Sequence, residues 1–141
     1  LENGLVGSMS NAFDKALELD SNYTAAYFNK ARLLSDEEKY EEAIIMLDKA
    51  IELDKTDLSY FLSYKGRYLS KLSKYEEAIK IYNDSISAEP FPFNNSYTYY
   101  ERGLALLALG KRKQAIESIN KALELNPGYK KFQKTLDELD N

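Results

Sequence analysis

The chain has neither cysteine nor histidine among its 141 residues. Without cysteine there are no disulfides and no thiolate metal sites, and the redox state of its compartment leaves no mark. Without histidine, the commonest general base and the commonest neutral metal ligand are both missing. No run of apolar residues approaches the roughly 18 needed to cross a bilayer. No Gly-rich phosphate loop is present: Gly4 and Gly7 precede no Lys-Ser/Thr pair and follow no strand. Proline is scarce, with three residues, two of them at 90 and 92. The net charge is −4, with both signs interspersed, which argues against a general nucleic-acid surface. No metal, cofactor or catalytic residue is expected, and the chain does not read as an enzyme.

What is present repeats. Tyr40-Glu41-Glu42-Ala43-Ile44 returns as Tyr75-Glu76-Glu77-Ala78-Ile79 and, more loosely, as Arg112-Lys113-Gln114-Ala115-Ile116. Each copy opens a similar helix, and the N-terminus carries the end of a further one, Phe13 to Asp20. Small residues give the period: Ala16 to Ala50 is 34, Ala50 to Ser85 is 35 and Ser85 to Ala122 is 37. Each preceding helix carries its own small residue, Ala31, Gly66 or Gly103. Self-similarity at such a period marks a stacked-repeat architecture.

The helices predicted from apolar spacing run from about Ser10 to Leu19, then 24–36, 40–53, 58–72, 74–88, 96–109, 112–125 and 129–139. Asp57 is expected to cap the fourth of these, and Ser73-Lys74-Tyr75-Glu76 fits a capping box for the fifth. Glu89 to Asn95 is the longest break, because two prolines and two asparagines forbid helix. Phe91 and Phe93 are expected to wedge between the last two repeats, the alternative being a knob that contacts a partner. Residues 1–9 read equally as a tag remnant or as the frayed start of a helix with Gly4 at a turn. The domain then divides as 10–23 (half repeat), 24–57, 58–92 and 96–129 (repeats), 93–95 (insertion) and 130–141. The last segment has a narrow apolar stripe, Phe132, Leu136 and Leu139, as a terminal cap requires.

Aromatic residue, small residue, large apolar residue, Ala, aliphatic residue and Ala recur as Tyr27, Ala31, Leu34, Ala43, Leu47 and Ala50. They return as Tyr99, Gly103, Leu106, Ala115, Ile119 and Ala122, closed by Pro127. This pattern resembles the tetratricopeptide repeat over roughly residues 7 to 129. Tyr27, Leu62 and Tyr99 stand where that signature has Trp. The resemblance implies an all-α, right-handed superhelix of stacked antiparallel helix pairs with a C-terminal capping helix. It also implies a concave face lined by the first helix of each pair, where a peptide would lie.

Carried over position by position, that face offers Phe28, Asn29 and Arg32 from the first full repeat. Tyr60, Tyr64, Arg67 and Lys71 come from the second, and Tyr97, Tyr100 and Leu104 from the third. Tyrosine combines apolar area with a hydroxyl at low entropy cost, which suits a contact surface. Arginine can grip a carboxylate through two parallel hydrogen bonds. The expected function is therefore a protein-interaction scaffold. Its partner would be a protein or peptide, with acidic groups or a C-terminal carboxylate. A chaperone-type carboxylate clamp is not expected, because only Asn29 and Arg32 suit it and Glu101 stands where it wants a cation. The alternative is a structural role, with the open N-terminal end pairing as a homodimer or continuing into further repeats of a longer protein. Neither nucleic-acid binding nor membrane insertion is expected. The expected setting is the cytoplasm, with the periplasm or another compartment left open.

Overall fold

The computed structural model describes residues 2–89, 91 and 95–141, and their side chains except at 2, 3 and 6. Among the described residues, the elements are eight helices: α1 (Glu2–Leu19), α2 (Thr24–Asp36), α3 (Tyr40–Leu53), α4 (Leu58–Lys71), α5 (Tyr75–Ala88), α6 (Ser96–Ala108), α7 (Arg112–Leu125) and α8 (Lys130–Asp140). Each helix packs chiefly on its neighbours in sequence, so the stack has no long-range closure. It is an all-α superhelix of helix pairs ending in a capping helix. The main difference from the sequence reading is at the start. α1 begins at Glu2 and runs through Gly4 and Gly7, so Gly4 marks no turn.

The recurring small residues explain the pairing. Ala31, Ala43, Ala78 and Ala115 are all fully buried, where α2 meets α3, α4 meets α5 and α6 meets α7. Gly66 and Gly103 take the place of Ala31, and their neighbours show why. A Cβ built on Gly66 would lie 2.5 Å from the Tyr82 ring, and one on Gly103 would lie 2.5 Å from Ile119 Cγ1. A larger residue reaching across from the second helix has taken the space of the missing methyl. Between pairs, Leu47, Leu69, Tyr82, Leu106 and Ile119 are buried as gap-fillers, while Leu34 is only partly so. Ser85 stands where the other repeats have Ala, and its buried hydroxyl donates to the Ser59 carbonyl at 2.7 Å.

The three first helices end alike. Lys39 N–H donates to Leu34 O and Glu38 N–H to Ser35 O. The same two bonds recur from Lys74 and Ser73 to Leu69 and Ser70, and from Lys111 and Gly110 to Leu106 and Leu107. This is the Schellman arrangement, and it places Glu38, Ser73 and Gly110 at φ of 61°, 59° and 73°. It also corrects two expectations. Ser73 closes α4 instead of capping α5, so no capping box forms, and Asp57 precedes α4 without a side-chain cap hydrogen bond. The turns between repeats use Asp instead. Asp20 and Asp54 carboxylates accept from the N–H two residues on, at Asn22 (3.0 Å) and Thr56 (2.7 Å). The break after α5 lies largely outside the described residues, and the expectation for Phe93 falls there. Phe91, which is described, is 57% exposed, so its ring is not wedged between repeats, and its backbone N–H donates to the Glu89 carboxylate at 3.0 Å.

Candidate functional site

The first helices α2, α4 and α6 present a trough made of two adjoining cavities. One, of about 320 Å³, is lined by Arg32, Ser35 and Asp36 from α2, Tyr40 from α3, and Tyr64, Arg67, Tyr68 and Lys71 from α4. The other, of about 560 Å³, is lined by Asp57, Ser59, Tyr60, Ser63, Tyr64 and Arg67, with Glu89, Tyr97 and Thr98. Tyr64 and Arg67 belong to both, so the two form one continuous depression.

Six expected residues are thereby brought together: Arg32, Tyr60, Tyr64, Arg67, Lys71 and Tyr97. An aromatic lattice holds the α4 side in place. The Phe28 ring centroid lies 5.2 Å from Tyr60, 5.5 Å from Phe61 and 5.1 Å from Tyr64. Phe28 lies outside both cavity linings and acts as the support on which the α4 rings rest. Tyr60 Oη donates to Tyr64 Oη at 3.4 Å, and this bond, with burial, raises the Tyr60 phenol above its ordinary range. The Arg67 guanidinium lies 4.8 Å from the Tyr64 ring centroid and 5.3 Å from that of Tyr97. Its flat faces are thus covered by aromatic rings, which leaves its edge for hydrogen bonds. Burial, then the Glu101 carboxylate, pushes the Tyr97 phenol up, so it remains a neutral donor.

Arg32, Arg67 and Lys71 form no ion pair with any described residue, although six other lysines in the chain do. Three cations face one carboxylate, Asp36, in the smaller cavity. Such a surface attracts an anion and gives it hydrogen-bond donors at close range.

The C-terminal part of the expected surface does not line the trough. Tyr100 is only 3% exposed. Phe132 of α8 packs on its ring at 4.8 Å between centroids, and its hydroxyl pairs with Thr135 Oγ1 at 3.0 Å. Leu104 packs against the same cluster. The capping helix covers Tyr100 and Leu104, which the sequence offered to a ligand. Asn29 is half-buried and lines neither cavity.

Sequence reasoning missed Tyr68 and Tyr40, which complete the smaller cavity, and Ser59 and Thr98 in the larger. Tyr68 carried a usable signal. It occupies an interior helix position with a hydroxyl, and a buried hydroxyl normally finds a partner. Thr98 donates to Ser63 Oγ at 3.2 Å, tying α6 to α4 across the larger cavity.

Tetratricopeptide repeat family models match residues 24–57, 65–92 and 96–129. None of the curated proteins compared matches the chain. Among solved structures, MamA superposes with a TM-score of 0.84 at 21% identity, covering 98% of this chain and 78% of MamA. PilF of Pseudomonas aeruginosa gives 0.85 at 24% identity, covering 99% of this chain and 62% of PilF, so the chain spans less than two thirds of that relative. The first repeat domain of Spaghetti (RPAP3), solved with the HSP90 peptide SRMEEVD, gives 0.73 at 24% identity, with 86% and 93% covered. With its buried small residues at the repeat period, its stacked helix pairs and matches along most of its length, the chain belongs to the tetratricopeptide repeat family.

Proposed function

We propose that the chain acts as a protein-interaction scaffold without catalysis, and that the trough across α2, α4 and α6 holds a peptide segment carrying acidic groups or a C-terminal carboxylate. The observation that carries this reading is the presence of three cations with no ion pair to any described residue, beside a wall of tyrosines in one continuous depression. The Spaghetti domain's bound peptide, SRMEEVD, carries three acidic residues among its last four, which supports a peptide as the kind of ligand. Glu101, near enough to Tyr97 to raise its phenol, stands where a chaperone-type clamp needs a cation, which argues against that arrangement. Pull-down with the intact protein and with Arg32→Glu/Arg67→Glu tests the proposal. The double variant loses its partners while keeping its helical circular dichroism. Retention of every partner would sink the groove reading. We place this activity in the cytoplasm, which fractionation would check.

A second reading rests on α1. Leu5 is 66% exposed, Met9 43% and Leu19 90%, and among the described residues this helix packs chiefly against α2. Under this reading the face covers itself with a second copy. Light scattering would then give a dimer that Leu5→Glu/Met9→Glu converts to monomer, whereas a monomer at all concentrations excludes it.

A further inference from the structure

Two residues that line the smaller cavity each carry a buried polar atom with no hydrogen bond to any described residue, Tyr68 Oη and Arg67 Nε. Tyr68 is only 3% exposed and lines that cavity. A buried donor without a partner is costly unless something outside the chain supplies an acceptor. The neighbouring Ser35 hydroxyl, which donates to Arg32 O at 2.8 Å, keeps lone pairs free but does not lie in hydrogen-bond geometry to Tyr68 Oη.

Charge points the same way. Arg32, Arg67 and Lys71 against Asp36 leave the cavity at net +2, within a chain whose net charge is −4. A carboxylate is planar, carries one charge and is satisfied by a single guanidinium fork. It would leave the cavity at net +1. A phosphomonoester carries about −1.5 to −2 at neutral pH and offers three strong acceptor oxygens. The donors available are two guanidinium groups on different helices, an ammonium and a phenol, and they surround a volume instead of lying in one plane.

We propose that this cavity receives a phosphomonoester dianion borne on a side chain of an extended partner segment, a deepening that rests on the peptide-groove reading. The adjoining cavity argues for a peptide as the carrier. It shares Tyr64 and Arg67 with the anion site, so chain flanking the phosphate lies against Tyr60, Tyr97, Ser63 and Thr98.

The test uses inorganic phosphate and acetate as probes, titrated into isotope-labelled protein while the Arg67 Nε–H resonance is followed by NMR. Phosphate shifts this resonance and half-saturates at a concentration about tenfold lower than acetate does. Tyr68→Phe weakens phosphate about threefold or more and leaves acetate unchanged, since only one donor is removed. Should Tyr68→Phe lose its thermal transition, Lys71→Gln, at an exposed position, weakens phosphate instead. Acetate binding as tightly as phosphate, or neither probe moving the resonance, overturns the proposal. Two arms distinguish the carriers: a pentapeptide Gly-Tyr-Ser-Tyr-Gly phosphorylated on serine binds more tightly than inorganic phosphate, and equal affinities overturn the peptide-borne source. The pull-down with the Arg32/Arg67 reversal tests the groove independently of the phosphate. A partner lost in that experiment but bound through glutamate alone keeps the groove and removes the phosphate.

Discussion

At the scale of single residues, the packing is set by pairs in which one side chain has taken the space of another. Gly103 and Ile119 are such a pair. A methyl group on Gly103 would meet Ile119 Cγ1 at 2.5 Å and the Ala115 carbonyl oxygen at 3.2 Å. The backbone oxygen cannot step aside as a flexible side chain can, so the helices must part. Gly103→Ala is expected to destabilise the protein by about 1–3 kcal/mol in denaturant unfolding, the usual range for overpacking. Combining it with Ile119→Val, which shortens the opposing side chain, is expected to recover part of that loss. An unchanged midpoint for Gly103→Ala would refute this account of the close approach. The same exchange of volume explains Tyr82. It is fully buried against Gly66. Burial, then the Glu101 carboxylate, drives its phenol well above the ordinary range.

Among the helices and their joints, each pair is closed in the same way by different residues. Glu38, Ser73 and Gly110 occupy the same left-handed position, but only one of them is glycine. A side chain in that conformation costs about 1 kcal/mol relative to glycine. Glu38→Gly and Ser73→Gly are each expected to raise the unfolding free energy, by up to about 1 kcal/mol, less what the more flexible unfolded chain takes back. Gly110→Ala is expected to lower it by a similar amount. Thermal melting of the three variants gives the signs, and a destabilised Ser73→Gly would show that its hydroxyl does something the Schellman geometry does not require. Both Glu38 and Ser73 are exposed or nearly so, so little packing is disturbed by the change.

Across the molecule, stability runs along the stack. Each repeat rests on its neighbours, so the ends are set by what covers them. α8 covers the C-terminal end with Phe132, 1% exposed, and Leu136, 7% exposed, against Tyr100, Ile119 and Ala122. Phe132→Ala is expected to cost about 3–5 kcal/mol, the usual range for a buried aromatic ring. Because coupling is between neighbours, the loss should be local. Hydrogen exchange should show α6 and α7 losing protection while α2 and α3 keep theirs. Uniform loss across all helices would mean that the stack opens as one unit.

The period, the helix pairs, the small residues at the crossings and the nature of α8 as a cap are all legible in the order of the residues. They follow from local spacing, because each repeat meets only its neighbours and one copy predicts the next. The same spacing puts Arg32, Tyr60, Tyr64, Arg67, Lys71 and Tyr97 on one face, since positions along a helix fix which side a residue occupies. How far that face stays open is a matter of packing in three dimensions. Tyr100 and Leu104 have the same register as the trough residues, but α8 folds over them, and no count along α6 announces the arrival of another helix. Packing alone also separates the two ends of Tyr68. Its ring belongs to the core around Leu47 and Phe61 while the residue also lines the smaller cavity, a division that depends on how α2 and α4 approach each other in space.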